Sequence, residues 1–217
     1  MNQRAGMKNE TVKRMLLHKL VVIIRVEDPE DIPPIVACMV ESGVEAMEIT
    51  SNTPGWRAAV SAMRQAYPDL LFGAGTILNV ELAEQAIAAG AQFLVTPNTN
   101  ADVVAHAHQH GIPVVMGAMT PTEVAEAMNA GADIVKLFPA GTLGTDYLKS
   151  LARGPYLDTV FFAVGGVDEH NLESWMENGA AGVDIGGSLA APVPTEDDAE
   201  KLKIRISMIK KILSKTI

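Results

Sequence analysis

Short apolar runs and amphipathic stretches alternate along the whole chain. Four times an amphipathic stretch closes on a glycine and an apolar run follows. Gly43 precedes residues 46–50, Gly90 precedes 93–96, Gly131 precedes 134–138 and Gly179 precedes 182–185. A helix that must stop favours glycine there, because glycine takes the left-handed conformation at no steric cost. The runs that follow are short and apolar nearly throughout, as in strands buried on both faces of a parallel sheet. Runs at 20–25, 71–75, 113–116 and 161–164 keep the same rhythm. Helix starts are also legible. Thr120-Pro121-Thr122-Glu123 combines an N-cap, a proline at the first helical position and a glutamate in capping-box register. Asn79 is the predicted N-cap of a helix running to Ala89, and Asp168 or Asn171 of one ending near Asn178.

Eight strand-like runs, each followed by a helical stretch, give about 27 residues per unit and a parallel sheet with right-handed crossovers. An open doubly wound sheet and a closed barrel both fit that alternation. The count of eight, and the lack of a nucleotide-binding glycine fingerprint after the first run, favour closure. The predicted fold is therefore α/β: a (β/α)8 TIM barrel, with the first 15 or so residues forming an extra N-terminal helix. No Gly/Ser-rich linker interrupts it, so residues 1–217 are expected to form one domain.

Composition narrows the function classes. With 217 residues, 48% hydrophobic and 20% charged, the chain can bury a sizeable core without disulfides or metals. Seventeen basic against 26 acidic residues leave a net charge of -9, which disfavours nucleic acid as a partner. The single cysteine, Cys38, forms no internal disulfide and fits a reducing compartment. The apolar run at 20–24 is too short for a signal segment or a membrane span, so a cytoplasmic protein with no membrane partner is expected. The eleven methionines read as core filler.

In such barrels chemistry sits at the C-terminal ends of the strands. Lys136 stands out because it interrupts the apolar run Ile134-Val135-Lys136-Leu137-Phe138 and shares its side of the strand with Ile134 and Phe138. Desolvation disfavours an ammonium and makes a free, nucleophilic amine accessible near neutral pH, as Schiff-base chemistry requires. A lysine snorkelling to solvent or paired with an acid is the alternative. Glu48, inside Met47-Glu48-Ile49, is a candidate general acid/base, or else a structural partner of Arg25 or Lys136. Gly165-Gly166 and Gly186-Gly187-Ser188 follow the seventh and eighth runs, where barrels bind phosphate on backbone amides; plain tight turns are the alternative. Arg25 and Thr76 fall at the mouth, to hold a substrate carboxylate or hydroxyl or simply to cap the rim. His106, His108 and His110 read as a solvated helix face on the opposite side of the barrel, so no metal site is expected.

Met47-Glu48-Ile49-Thr50, Gly73-Ala74-Gly75-Thr76-Ile77-Leu78-Asn79, Val95-Thr96-Pro97-Asn98, Val135-Lys136-Leu137-Phe138-Pro139-Ala140, Gly165-Gly166-Val167 and Gly186-Gly187-Ser188 occur in this order. Together they resemble the class I 2-keto-3-deoxy-6-phosphogluconate / 4-hydroxy-2-oxoglutarate aldolases over essentially the whole chain. The resemblance implies a homotrimeric (β/α)8 barrel that needs no metal or other cofactor and takes a phosphorylated keto acid. Lys136 matches the Schiff-base lysine and Glu48 the general acid/base. Thr76 and Pro97 would line the pyruvate pocket with Phe138 and Val164 beside them, and Arg25 would lie near the substrate carboxylate or hydroxyls. Gly165, Gly166, Gly186, Gly187 and Ser188 would cradle the phosphate. The gluconate enzymes usually carry an arginine where this chain has Asn52, and Pro-Thr-Gly-Gly where it has Ala163-Val164-Gly165-Gly166. In both places the chain is more similar to the 2-keto-3-deoxy-6-phosphogalactonate branch.

The implied reaction is cleavage of a 2-keto-3-deoxy-6-phospho sugar acid to pyruvate and D-glyceraldehyde 3-phosphate, with 4-hydroxy-2-oxoglutarate giving pyruvate and glyoxylate as a further activity. Two other functions compete. A phosphosugar epimerase or isomerase on the same barrel predicts a metal or a carboxylate pair, neither of which the sequence displays, and leaves Lys136 idle. A non-catalytic phosphosugar-binding barrel would tolerate loss of the lysine. Fold alone does not separate them.

Overall fold

Every predicted strand run lands on a strand of one closed sheet. The computed structural model describes residues 2–215, apart from the side chains of residues 2–5, 7 and 188. Its strands are β1 (Leu20–Ile24), β2 (Ala46–Thr50), β3 (Leu71–Gly75), β4 (Leu94–Val95), β5 (Val114–Ala118), β6 (Ile134–Leu137), β7 (Phe161–Val164) and β8 (Ala180–Ile185). All pair in parallel and in chain order, and β8 returns to β1. Helix α1 (Asn2–His18) precedes the barrel. The crossovers carry α2 (Ile32–Glu41), α3 (Trp56–Ala66), α4 (Val80–Ala88), α5 (Ala101–Gln109), α6 (Pro121–Asn129), α7 (Ala140–Leu143), α8 (Thr145–Ala152) and α9 (Leu172–Glu177), and α10 (Glu196–Leu213) closes the chain. The repeat glycines Gly43, Gly90, Gly131 and Gly179 all hold positive φ, at 72, 91, 79 and 111°.

Local signals set the helix starts. Glu123 Oε2 accepts from the Thr120 amide at 2.7 Å while Thr120 Oγ1 accepts from the Glu123 amide at 3.3 Å, closing the capping box. The Thr120 and Met119 amides, both donating to it, hold the Glu123 carboxyl below its usual range. Asn79 Oδ1 accepts from Leu82 N at 2.9 Å. Asp168 caps the turn ahead of α9, accepting from His170 N and Asn171 N.

Strand ends depart from the expected positions where pairing, not hydropathy, decides. β4 is shortened to two residues because the Thr96 hydroxyl, rather than a neighbouring backbone, receives the Gly117 amide at 3.0 Å. β5 runs two residues past Met116, to Ala118, and β8 starts at Ala180 because β7 pairs with it from there.

Side chains alternate between two cores. Outward-facing Ile24, Ile49, Leu94, Met116, Leu137 and Val183 pack under the helices, and Val21, Ala46, Leu71, Phe93, Val115, Ile134 and Phe162 fill the barrel. The two phenylalanines occupy room left by glycines: a Cβ on Gly73 would lie 2.4 Å from the Phe93 ring, and one on Gly182 2.5 Å from Phe162. Buried Met15 of α1 joins this inner cluster and plugs the N-terminal end. Arg14 donates to Asp69 O at 2.6 Å and Lys8 pairs with Asp133 at 2.7 Å, fixing α1 there.

Candidate active site

Following the registers around the closed sheet sorts the inward residues into layers of four drawn from alternate strands. The lower layers are apolar or glycine. The next holds Glu48 of β2, Val95 of β4, Lys136 of β6 and Asp184 of β8. Above it come Ile23, Gly75, Gly117 and Val164, and at the mouth Thr50, Pro97, Phe138 and Gly186. One layer of the barrel therefore carries three ionisable side chains. The two glycines above it make room for their neighbours, Gly75 for the Glu48 carboxylate and Gly117 for the backbone of Pro97.

Lys136 is 5% exposed, so it does not snorkel. Its Nζ lies 5.2 Å from the centroid of the Phe138 ring, within the range in which a ring face attracts a cation. Glu48 is 1% exposed, and its carboxylate reaches into the space above Gly75, where a Cβ would come 2.5 Å from Oε1. Burial pushes the Glu48 carboxyl up, opposed by the positive charges of Lys136 and Arg25. Asp184 is also 1% exposed, and neither of its oxygens has a hydrogen-bond partner. Burial, reinforced by the charge of Glu48 and opposed by that of Lys136, raises its carboxyl well above the usual range. The sequence reasoning missed Asp184, although it breaks the run Val183-Asp184-Ile185 just as Lys136 breaks its own.

The remaining expected residues ring the mouth. Exposed Arg25 follows β1 and donates from Nη2 to Thr76 Oγ1 at 3.4 Å. Thr76 stands at φ 58°, a conformation a β-branched residue adopts only under strain of about 1–3 kcal/mol. Its carbonyl, anchored by Ser51 Oγ at 2.7 Å, holds that strained turn over the barrel. Pro97 sits directly on Gly117: a Cβ there would lie 2.4 Å from the Pro97 carbonyl carbon. Gly117 is the register partner of Lys136, so this close approach brings the Pro97 loop over the lysine. Thr96 of the same segment spends its hydroxyl on Asn98 O at 2.6 Å and serves the loop.

Half-buried Phe138 lies under Gly165, with a Cβ on that glycine 3.2 Å from the ring. Gly165 and Gly166 turn the chain at φ 84 and 80°, their carbonyls accepting from Gly141 N at 2.7 Å and Asn171 Nδ2 at 2.8 Å. Buried Val164 closes β7 in register with Asp184. Gly186 packs on Ile23 and exposed Gly187 opens a single 3-10 turn, Gly187–Ala190. The Ser188 hydroxyl lies outside the described side chains. On the opposite face His108 pairs with Asp133 at 2.8 Å, while the His106 and His110 rings meet at a tilt with centroids 4.8 Å apart. Among the described residues no group of three acidic, histidine or cysteine side chains is placed to hold a metal ion.

A buried amine in one layer with buried carboxyl groups, below a rim that carries Arg25, Thr76 and glycine turns, is suited to imine and proton-transfer chemistry on a small carbonyl compound. Comparison with known proteins points the same way. The family model described as KDPG and KHG aldolase matches residues 11–204. The chain is 37% identical over 174 residues to the 2-dehydro-3-deoxy-phosphogluconate aldolase of Treponema pallidum, covering 80% of this chain and 82% of that one. It is equally 37% identical over 171 residues to the 2-dehydro-3-deoxy-6-phosphogalactonate aldolase of Escherichia coli, covering 78% and 83%. A solved structure described as native KDPGal superposes with a TM-score of 0.83 at 32% identity, covering 91% of this chain and 95% of that one.

Proposed function

This chain belongs to the KDPG and KHG aldolase family, and from that premise we propose that it cleaves a 2-keto-3-deoxy-6-phospho sugar acid through an imine on Lys136. The neutral amine of Lys136 adds to the C2 carbonyl; loss of water gives a protonated imine, an electron sink. The Glu48 carboxylate takes the C4 hydroxyl proton, the C3–C4 bond breaks, and its electrons pass into the enamine. D-Glyceraldehyde 3-phosphate leaves, Glu48 returns the proton to C3, and hydrolysis of the imine releases pyruvate and regenerates the amine. Thr76, Pro97 and Phe138 bound the pyruvate end and Arg25 binds the substrate carboxylate or hydroxyls. Gly165, Gly166, Gly186, Gly187 and Ser188 cradle the phosphate.

The observation that carries this proposal is a lysine amine 5% exposed inside the barrel, in one layer with a carboxyl group whose ionisation it favours. Borohydride reduction in the presence of pyruvate tests it. The intact protein gains the mass of one reduced pyruvate adduct and Lys136→Ala gains none; no gain in the wild type overturns it.

For the sugar acid, Asn52 and Val164 favour the galactonate-derived substrate. Val164 offers a buried methyl surface where a threonine would offer a hydroxyl. Steady-state cleavage is expected to prefer the galactonate compound by about tenfold or more; a preference for the gluconate compound contradicts this choice.

One finding favours a rival. The carboxylate pair expected of an epimerase or isomerase, and absent from the sequence picture, exists as Glu48 and Asp184, because strand register brings them into one layer. That rival forms no reducible adduct, so the same trapping experiment separates the two. Action as a homotrimer in the cytoplasm, with residues 1–217 as one catalytic domain, is proposed on the family resemblance. No described helix is long and apolar enough to cross a membrane.

A further inference from the structure

Asp184 is a carboxyl group 1% exposed that the reaction above leaves unused, and both its oxygens lack a partner. A carboxyl group in that position costs stability unless something retains it. Its place in the layer is informative. Lys136 on β6 and Glu48 on β2 face each other across the barrel, and β8 lies midway between them on one side. Val95 holds the corresponding position on the other side, so the acid is interposed between amine and base on one flank only. Its surroundings are otherwise uncharged: β1 presents Val21 and Ile23, and β7 presents Phe162 and Val164. The charges that face it are Glu48 and Lys136.

We propose that Asp184 is a positioning residue for imine formation, a third proton-holding group whose charge state governs when Lys136 can attack. Two carboxyl groups and one amine in a water-poor space favour a neutral set: one ammonium, one carboxylate and one carboxylic acid. Asp184 supplies the acid, since burial and the charge of Glu48 both favour its protonated form. As pH rises Asp184 ionises, and its negative charge then favours the ammonium form of Lys136, holding the amine out of action. No atom of Asp184 joins the substrate. The proton that Lys136 gives up before attack passes to a carboxylate of the same layer and is returned when the imine hydrolyses.

The inference rests on the imine proposal, and the test separates the two. Pyruvate-dependent trapping of Lys136 with cyanoborohydride is followed across the neutral and alkaline range in wild type and Asp184→Asn. Asparagine has the shape of the protonated acid and cannot ionise. The pH of half-maximal trapping is expected to fall by about one unit in Asp184→Asn, the usual effect of losing one nearby opposite charge. Superimposable profiles, with wild type still trapping pyruvate, overturn this inference and leave the imine intact; no adduct in the wild type overturns the imine itself. If Asp184→Asn does not fold, the infrared difference spectrum of Glu48→Gln on adding pyruvate decides. A pyruvate-sensitive protonated-carboxyl band supports the role of Asp184, and its absence overturns it.

Discussion

Glycine 75 shows how closely the chemistry is fitted to single residues. The Glu48 carboxylate occupies the volume that a side chain at position 75 would fill, and β3 gives Gly75 no other reason to lack a Cβ. In Gly75→Ala the carboxylate is displaced, while Lys136 keeps its surroundings. Misplacing a catalytic base by about 1 Å costs up to about 100-fold in rate. The variant is therefore expected to lose about 10- to 100-fold in kcat yet still form the reducible pyruvate adduct. Loss of the adduct would show that the two groups do not act separately. Lys136 and Glu48 were legible in the sequence because an ionisable residue inside an apolar run is costly and so conspicuous. Asp184 gave the same signal, but its meaning depends on facing inward at the level of the other two. Only the pairing register of β8 supplies that. Thr96 shows the converse: its hydroxyl lies near the mouth, but the loop consumes it.

Among the elements, those carrying strong local signals were the most legible. The helix-ending glycines and the capping box of α6 fix backbone geometry within a few residues, and each appears as expected. Strand ends were less legible because a strand stops where its pairing stops, and β4 is cut short by the Thr96–Gly117 contact. The crossover from β6 to β7 splits into α7 and α8 at Gly144, with φ 82°, which no hydropathy pattern marks. The N-terminal helix was anticipated as an addition to the barrel, but its task was not. Through Met15 it closes the floor on which the reactive layer rests. Met15→Ala leaves a hole there and is expected to cost about 2–5 kcal/mol, seen as a lower melting temperature with trapping at Lys136 retained. An unchanged melting temperature would mean that α1 only rests against the barrel. At the other end Arg205 of α10 grips Glu169 through Nε at 2.5 Å and Nη2 at 2.8 Å. The guanidinium brings the Glu169 carboxyl down to about 2. That tie joins the last helix to the segment that follows the Gly165-Gly166 turn.

For the molecule as a whole, burial and openness are divided by height within one barrel. Its lower half is filled by Phe93, Phe162 and Met15, and above them Gly75 and Gly117 give room to the Glu48 carboxylate and to the Pro97 loop over Lys136. The overall charge of -9 does not describe this interior, where a lysine and an arginine at the rim offset two carboxyl groups. The proposed chemistry turns on one event, the formation of a covalent bond between a buried amine and a keto acid. Tandem mass spectrometry of the borohydride-reduced, pyruvate-treated wild-type protein tests that event most directly. The adduct is expected on the peptide containing Val135-Lys136-Leu137, at the lysine; an adduct confined to another lysine, or none at all, would contradict it.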